Sequence, residues 1–233
     1  MIFHVLGSTL LKSYLWINQL FGVACLPVGL VLRSERLGFI ELDVHISIAP
    51  TNLIITPCSM AMVLSKDGSP DIYLMNLASK RLTRLTKHYA IDTEPTWMPD
   101  GQSLLFTSDR GGRPQIYRYD LKSGNTTRVT FEGRYNARAR VAQDGRNVAL
   151  VHQQDGAYHI AVHDLVTERL TVLTTTSLDE SPTIAPNGSI VLYATKRNGK
   201  SILGAVAVDG GVSFNLPARD GEVQEPAWSP YLP

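Results

Sequence analysis

Two histidines four residues apart, His159 and His163, are the residues whose types and spacing come nearest to a metal site. On a helix that spacing would place both imidazoles on one face, as zinc sites require. The run between them reads as a strand, where residues four apart are separated by about 13 Å at about 3.3 Å per residue. One metal ion cannot bridge that distance, so the sequence predicts no metal site and no cofactor.

Nucleophilic catalysis of the serine-hydrolase type would need a Gly-x-Ser-x-Gly turn between a strand and a helix. The sequence contains no such turn. The segments 67–71 and 109–112 carry aspartates, but they lack the alternating oxygen ligands and distal glutamate of a calcium loop. The residues therefore predict no catalytic site, and turn chemistry explains both aspartate segments.

The bulk composition narrows the possible partners and the fold. There are 22 Lys+Arg and 21 Asp+Glu, for a net charge of +1. Binding to a phosphate backbone requires an excess of cations, which this composition lacks, so no nucleic-acid partner is predicted. Hydrophobic residues make up 44% of the chain, enough for a packed core. The 18 glycines and 13 prolines favour many turns and an all-β fold.

The sequence from about residue 60 onward repeats with a period of 43 to 45 residues. The landmarks are Asp-Gly or Asn-Gly turns, isoleucines within short strand-like runs, and the Asn or Asp that follows each run. They fall at Asp100, Asp144 and Asn187; at Ile72, Ile116 and Ile160; and at Asn76, Asp120, Asp164 and Asp209. Several landmarks in one register indicate an internal repeat.

Each repeat is predicted to hold four short strands. In the clearest unit these are 95–97, 103–107, 115–119 and 127–130, with glycine-containing turns between them. Four strands in each unit of about 40–45 residues are typical of propeller blades. The predicted fold is all-β, a partial propeller of about three and a half four-stranded blades over residues 60–233.

The residues within these repeats resemble the TolB/PD40 propeller family. The residues that match the repeat are Trp97 to Gly101, Leu105 to Arg110 and Gln115 to Tyr117, and the longer matches run from Ser65 to Leu77, Leu178 to Gly188 and Pro226 to Leu232. The resemblance implies a six-bladed type of propeller acting as a non-enzymatic, periplasmic scaffold of the Tol–Pal system in envelope integrity and cell division. It implies the lipoprotein Pal as partner, further Tol proteins reached through the family's N-terminal domain, and no small-molecule substrate.

The predicted binding site is the set of loops that precede the first strand of each blade, because loops on a rigid scaffold commonly carry function. Arg and Tyr are favoured interface anchors, and Tyr135 is predicted to be exposed. For Glu94 and Glu225 the alternative is that the following proline biases them to extended backbone and so shapes the strand start. The predicted partner-binding residues are Thr93, Glu94, Arg134, Tyr135, Asn136, Arg138, Asp179, Glu180, Gln224 and Glu225.

Residues 1–59 are predicted to be a separate apolar segment without the repeat. Leu15 to Leu32 is an apolar run that fits a signal-peptide core, a membrane span or non-native coding, although the residues before Lys12 carry no Lys or Arg. The family's N-terminal α/β domain and remaining blades are not recognised in it. One alternative to the Tol–Pal scaffold is therefore a truncated or frameshifted family remnant without activity. A further alternative is the propeller of a prolyl-oligopeptidase-like peptidase.

Overall fold

The computed structural model describes residues 30–33, 43–48, 59–66, 68–216 and 223–228. Within these residues the regular structure is β-strand throughout, arranged as four antiparallel sheets that follow one another along the chain. The predicted all-β partial propeller is confirmed. No helix in the described part of the chain has the length and apolarity needed to cross a membrane.

The first sheet begins before the repeat signal does. Its strands, in spatial order, are β1 (Leu30–Arg33), β2 (Asp43–Ile48), β3 (Ser59–Leu64), β4 (Asp71–Asn76) and β5 (Leu82–Arg84). β2 pairs with β3 through Ser47 opposite Ala61 and Ile48 opposite Met60. Strand β2 therefore joins a blade, although the sequence before residue 60 shows no repeat; the domain boundary at residue 60 stays a prediction. The apolar run from Leu15 lies outside the described residues, except for its last three positions in β1.

The other three sheets each contain four strands and repeat one plan. The second sheet comprises β6 (Asp92–Trp97), β7 (Ser103–Ser108), β8 (Gln115–Asp120) and β9 (Thr126–Arg128). The third comprises β10 (Asn136–Val141), β11 (Asn147–Gln154), β12 (Ala157–Asp164) and β13 (Leu170–Val172). The fourth comprises β14 (Glu180–Ile184), β15 (Ile190–Arg197), β16 (Lys200–Ala207) and β17 (Ser213–Leu216). The inner strands of successive sheets contact one another: β2 and β3 contact β6, β6 contacts β10, and β10 contacts β14.

Apolar side chains between successive sheets form the core. The cluster between sheets one and two includes Ala61, Ile72, Leu104 and Phe106. The cluster between sheets two and three includes Leu105, Ile116, Val148 and Leu150. The cluster between sheets three and four includes Val151, Ile160, Val191 and Tyr193. All six residues of β7 are buried, because this strand has a sheet on each side. A blade in this position has no solvent face, and its neighbours cover both surfaces.

The innermost strands of sheets two to four each carry a β-bulge at the same repeat position. The pairing registers shift between Thr93 and Thr96, and likewise in β10 and β14. Within these shifts Glu94, Arg138 and Ser181 have φ of 56°, 57° and 54°. The expectation that proline biases Glu94 to extended backbone is thus wrong, because the bulge places Glu94 in the left-handed region despite Pro95. Bulges re-aim side chains, here towards the axis on which the inner strands converge.

Antiparallel connectivity gathers half of the connections at one end of the sheets. We call this end the front face; among the described residues it consists of the turns 65–66 with 68–70, 109–114, 155–156 and 198–199 and the connections 85–91, 129–135 and 173–179. Backbone hydrogen bonds tie turns to the neighbouring connections there: Asp92 N–H donates to Pro70 C=O at 2.9 Å and Asn136 N–H to Pro114 C=O at 3.0 Å. The opposite end, the back face, consists of the remaining turns.

Candidate protein-binding site

Three of the predicted binding residues bond to one another across the axis. Arg138 Nη1 lies 2.8 Å from Glu225 Oε1, and its Nε lies 3.2 Å from Glu94 Oε1. Arg138 Nη1 also donates to the Ser181 hydroxyl at 2.7 Å, which in turn donates to Glu225 at 2.9 Å. These four residues, which we call the axial cluster, join the inner strands of sheets two to four to segment 223–228.

Glu94 is also held by its own neighbours. Its Oε2 accepts a hydrogen bond from the Thr107 hydroxyl at 2.7 Å and one from the Arg138 backbone N–H at 2.9 Å. The Glu94 side chain is 12% exposed, whereas those of Arg138 and Glu225 are 30% and 32% exposed. The cluster is therefore a bonded network in the protein itself, with limited capacity left for an incoming partner.

The charges of the axial cluster offset the cost of burying it. Burial alone would lower the pKa of Arg138, but Glu94 and Glu225 outweigh burial and raise it above its usual value. Arg140, on the same strand, donates to the Ala139 carbonyl at 2.9 Å. Burial lowers the pKa of Arg140, and the same two carboxylates oppose that effect only in part. Both guanidinium groups stay cationic at neutral pH, because arginine starts from a pKa above 12.

Asn136 and Asp179 support the loops from inside. Asn136 is fully buried, and its Nδ2 donates to Gln115 Oε1 at 2.9 Å and to the Glu132 carbonyl at 2.7 Å. Asp179 is 1% exposed and accepts hydrogen bonds from the hydroxyls of Thr174 and Thr176. The predicted role of both residues in partner binding stays untested, but neither presents its side chain to solvent.

Tyr135 does not have the exposure that the sequence predicts. It is partly buried against the cluster between sheets three and four, and its ring meets that of Tyr158 edge to face at 5.3 Å. Burial is the largest cause of a raised Tyr135 pKa, followed by Glu94. The expectation of an exposed tyrosine is wrong because a strand from the same sheet supplies the partner ring.

The remaining predicted residues lie where a partner could meet them. Arg134, Glu180 and Gln224 are exposed, and Thr93 is partly buried in β6 opposite Thr107. Arg134 follows Gly133, whose φ is 71° and whose backbone lies against the His152 ring: a Cβ at Gly133 would be 2.4 Å from His152 Cε1. Glycine at this position lets the loop close over the histidine and project Arg134 outwards.

Exposed apolar side chains on the front face were missed in the sequence. Tyr89 is 84% exposed, Ile91 50%, Phe131 67% and Leu178 53%. Phe131 also carries Arg128 over its ring at 5.0 Å. Ile91, Tyr135 and Leu178 occupy one position of the repeat. The recurrence of an apolar residue at this position, within otherwise polar loops, is the sequence pattern that could have predicted apolar residues on this face. On the back face Val166 and Val212 are the corresponding large apolar side chains among the described residues.

The histidines are arranged along one sheet. His159 and His163 both lie in β12, and the register places His152 directly opposite His159. His152 Nδ1 lies 2.9 Å from Asn136 Oδ1, which requires that this nitrogen donate. Over the described ranges, no three His, Cys, Asp or Glu side chains come together in a group that could hold a metal ion.

Four-stranded sheets stacked about an axis at a regular repeat define a β-propeller architecture. The profile of the PD40 family, described as the TolB beta propeller domain, matches residues 56–232. The chain therefore belongs to the TolB β-propeller (PD40) family, as its sequence indicates.

Curated relatives and solved structures agree with that assignment. The Tol-Pal system protein TolB of Hahella chejuensis is 56% identical over 61 residues, which are 26% of this chain and 14% of that protein. TolB of Pseudomonas syringae pv. syringae is 51% identical over 72 residues, or 31% and 17%. The crystal structure of TolB from Acinetobacter baumannii superposes with a TM-score of 0.70 and 47% identity, covering 73% of this chain and 43% of that one.

The chain thus spans less than half of the solved TolB chain. A puromycin hydrolase also superposes, with a TM-score of 0.59 and 14% identity. At that identity the likeness shows the propeller fold alone, since unrelated functions share propeller folds.

Proposed function

We propose that this chain is a non-enzymatic protein-binding module of the Tol–Pal system, located in the periplasm, and that it binds the lipoprotein Pal through its front face. Family membership supports the Tol–Pal assignment, since the curated relatives are Tol-Pal system proteins. The single observation that carries the binding role is the exposure of Tyr89, Ile91, Phe131 and Leu178 at one end of the blades.

Apolar side chains exposed together on one face are a mark of a protein interface, whereas single ones are ordinary. Tyr89 and Phe131 are the aromatic residues of this set, and aromatic residues are enriched at interface cores. Arg134, exposed beside them, is of the type that anchors interfaces. Rigid blades with loops tied to the neighbouring turns hold these side chains in place, which lowers the entropy lost on binding.

The polar residues of the axis support a binding role rather than chemistry. Glu94, Arg138 and Glu225 satisfy one another. A nucleophile or general base needs a free reacting group beside an activating one, and the axial side chains are committed to bonds between blades. The propeller then serves as a scaffold for its loops.

The test is the affinity of the purified full chain for the soluble domain of Pal, measured by surface plasmon resonance. The variant Phe131→Ala with Leu178→Ala removes two exposed apolar groups from the front face. We expect about tenfold weaker binding, since interface anchors cost more than about 1 kcal/mol when truncated.

The matched control is Val166→Ala, which shortens a side chain that is 73% exposed on the back face. It is expected to bind Pal as the unmodified chain does. Equal losses in both variants, or no binding of Pal by a chain that unfolds cooperatively, would overturn the proposal. A chain without a cooperative unfolding transition would instead favour the alternative of an inactive family remnant.

A further inference from the structure

Exposed charges on the front face are mostly positive. From Lys87 onward, the exposed ionisable side chains in the described front connections and the strand ends beside them comprise six cations and three anions. The cations are Lys87, Arg113, Arg134, Lys196, Arg197 and Lys200. The anions are Glu132, Asp155 and Glu180. The net +1 charge of the whole chain hides this local excess.

The back face is balanced by comparison. Its exposed cations in the described turns are Lys80, Arg81, Lys122, Arg146 and Arg169. Its exposed anions are Asp100, Asp144, Glu168 and Asp209. Arg146 there is already paired with Asp164 at 2.6 Å. The positive excess is therefore a property of one end of the propeller.

The hairpin between β15 and β16 concentrates three of the cations. Asn198 and Gly199 have φ of 52° and 75°, the positive values that a tight two-residue hairpin turn needs. The register sets Arg197 directly opposite Lys200, with Lys196 one position earlier. Like charges placed opposite each other across strands destabilise a sheet, and no salt bridge in the described part of the chain relieves this pair.

Other cations lie among the exposed apolar residues. The Asn136–Pro114 hydrogen bond brings the turn that carries Arg113 against the loop that carries Arg134 and Phe131. Lys87 lies in the same connection as Tyr89 and Ile91. The front face thus alternates apolar anchors with cations that form no salt bridge to another described residue, a composition that complements a surface with apolar groups and carboxylates.

We propose that the front face selects an acidic protein surface that also carries apolar side chains, and that the hairpin cations Lys196, Arg197 and Lys200 steer it. This rests on the proposed protein-binding function and adds the chemistry of the partner. A protein fits better than an anionic membrane, because Glu132 and Glu180 on the same face would be pressed against lipid phosphates. Within a protein interface those carboxylates can meet individual basic groups.

The experiment uses the full chain and two random copolymers as probes, one of glutamate and tyrosine and one of lysine and tyrosine. Binding is measured by fluorescence anisotropy at about 0.05 M and about 0.5 M salt, since screening shortens from about 14 Å to about 4 Å over that range. The variant is Lys196→Glu with Arg197→Glu and Lys200→Glu; a second variant carries Gln at the same positions. The matched control is Arg81→Glu with Lys122→Glu and Arg169→Glu on the back face.

We expect the glutamate copolymer to bind at least tenfold more tightly than the lysine copolymer at low salt. The hairpin Glu variant should lose about tenfold and the Gln variant less, while the back-face variant stays within about twofold. Preference for the lysine copolymer, or equal losses from both faces, would overturn the inference. Binding to phosphatidylglycerol vesicles that the hairpin variant abolishes, without binding of the glutamate copolymer, would overturn it in favour of a membrane.

Pal serves as a separate arm that distinguishes the two proposals. If Pal binds the hairpin Glu variant as tightly as the unmodified chain at both salt concentrations, the charge inference fails and the proposed function stands. If the glutamate copolymer shows the expected pattern while Pal does not bind, the Pal proposal fails and the charge inference stands.

Discussion

Arg138 and Glu225 are 87 residues apart in the chain, yet Arg138 Nη1 lies 2.8 Å from Glu225 Oε1. The contact joins the inner strand of the third sheet to the segment 223–228, which follows the fourth sheet. Glu225 has φ of 48°, matching Glu94, Arg138 and Ser181. Segment 223–228 therefore continues the series of inner-strand positions around the axis, and Arg138 is the cation that links it to sheet two through Glu94.

Arg138→Met tests whether this cation holds the inner strands together. Removing it takes the bonded cation away from two carboxylates, one of them on a side chain that is only 12% exposed, and leaves Arg140 as the cation that still acts on both. Breaking a buried pair costs about 3–5 kcal/mol, and partial exposure here reduces the expected loss of unfolding free energy to about 2 kcal/mol. Chemical denaturation monitored by tryptophan fluorescence measures it.

Arg146→Met is the matched control for that measurement. Arg146 also pairs with one carboxylate, but its side chain is 53% exposed on the back face. Water screens exposed ion pairs, which therefore add little to stability, so only a small loss is expected. If the two variants unfold at the same denaturant concentration, the axial cluster has no special role in joining the blades.

His163→Leu is expected to flatten the pH dependence of stability. His163 is 4% exposed, its Nδ1 finds no hydrogen-bond partner among the described residues, and burial lowers its pKa from 6.5. The folded state binds the His163 proton less readily than the unfolded state does. The stability that neutral His163 contributes is therefore fully present above pH 6.5 and is lost as pH falls below it. The variant should lose the part of that decline that His163 causes, and should gain about 1 kcal/mol at about pH 8, since an unsatisfied buried polar atom is removed.

His152→Gln separates the change in pH dependence from the change in overall stability. Thermal melts of both variants from about pH 5 to about pH 8 measure the two quantities. Burial also lowers the pKa of His152, so this variant should likewise weaken the pH dependence. Unlike His163→Leu, it disturbs the 2.9 Å contact with Asn136 and should be less stable at every pH. A His163→Leu protein that keeps the full decline below pH 6.5 would contradict the prediction.

Gly204→Ala is expected to destabilise the fourth sheet through one contact. Tyr193 is the cross-strand partner of Gly204, and a Cβ there would lie 2.4 Å from Tyr193 Cζ. Tyr193 is 4% exposed and cannot swing into solvent without leaving the core between sheets three and four. Overpacking of this kind costs about 1–3 kcal/mol.

A double-mutant cycle with Tyr193→Ala isolates that contact. In the Tyr193→Ala background the space above Gly204 is empty, so Gly204→Ala should be nearly neutral. Urea midpoints of the four proteins give the coupling energy. Additive losses would show that glycine is needed for another reason.

Much of the fold could be predicted because the repeat is local. Turn glycines and alternating runs placed the strands of the second sheet at 95–97, 103–107, 115–119 and 127–130, against observed Asp92–Trp97, Ser103–Ser108, Gln115–Asp120 and Thr126–Arg128. These signals depend on neighbours in sequence. Strand β2 had no such signal, since its segment lacks the turn residues of the repeat; its pairing with β1 and β3 defines it.

The end of the sheets at which the candidate loops lie could be predicted, but the exposure of their side chains could not. The loops do lie at one end, yet Tyr135 packs on Tyr158 and Glu94 turns inwards at a bulge. Both outcomes depend on contacts distant in sequence, such as the one between Glu94 and Arg138, and no pattern within a loop reports them. Exposed apolar residues such as Phe131 were missed because the sequence of a loop does not show whether its apolar side chain is exposed or buried in the core.

Asn136→Ala at the start of β10 and Arg134→Ala in the preceding loop are expected to distinguish a residue that supports the loop from one that contacts the partner. Asn136 is fully buried and bonds Gln115, the Glu132 carbonyl and His152. Its loss leaves several buried groups unsatisfied, at about 1–3 kcal/mol, so unfolding free energy should fall by about 2 kcal/mol. Arg134 is exposed, so its truncation should leave stability within about 0.5 kcal/mol and weaken Pal binding instead. Denaturation and surface plasmon resonance on both proteins measure the two effects, and a stability loss in Arg134→Ala equal to that in Asn136→Ala would show that the whole loop is structural.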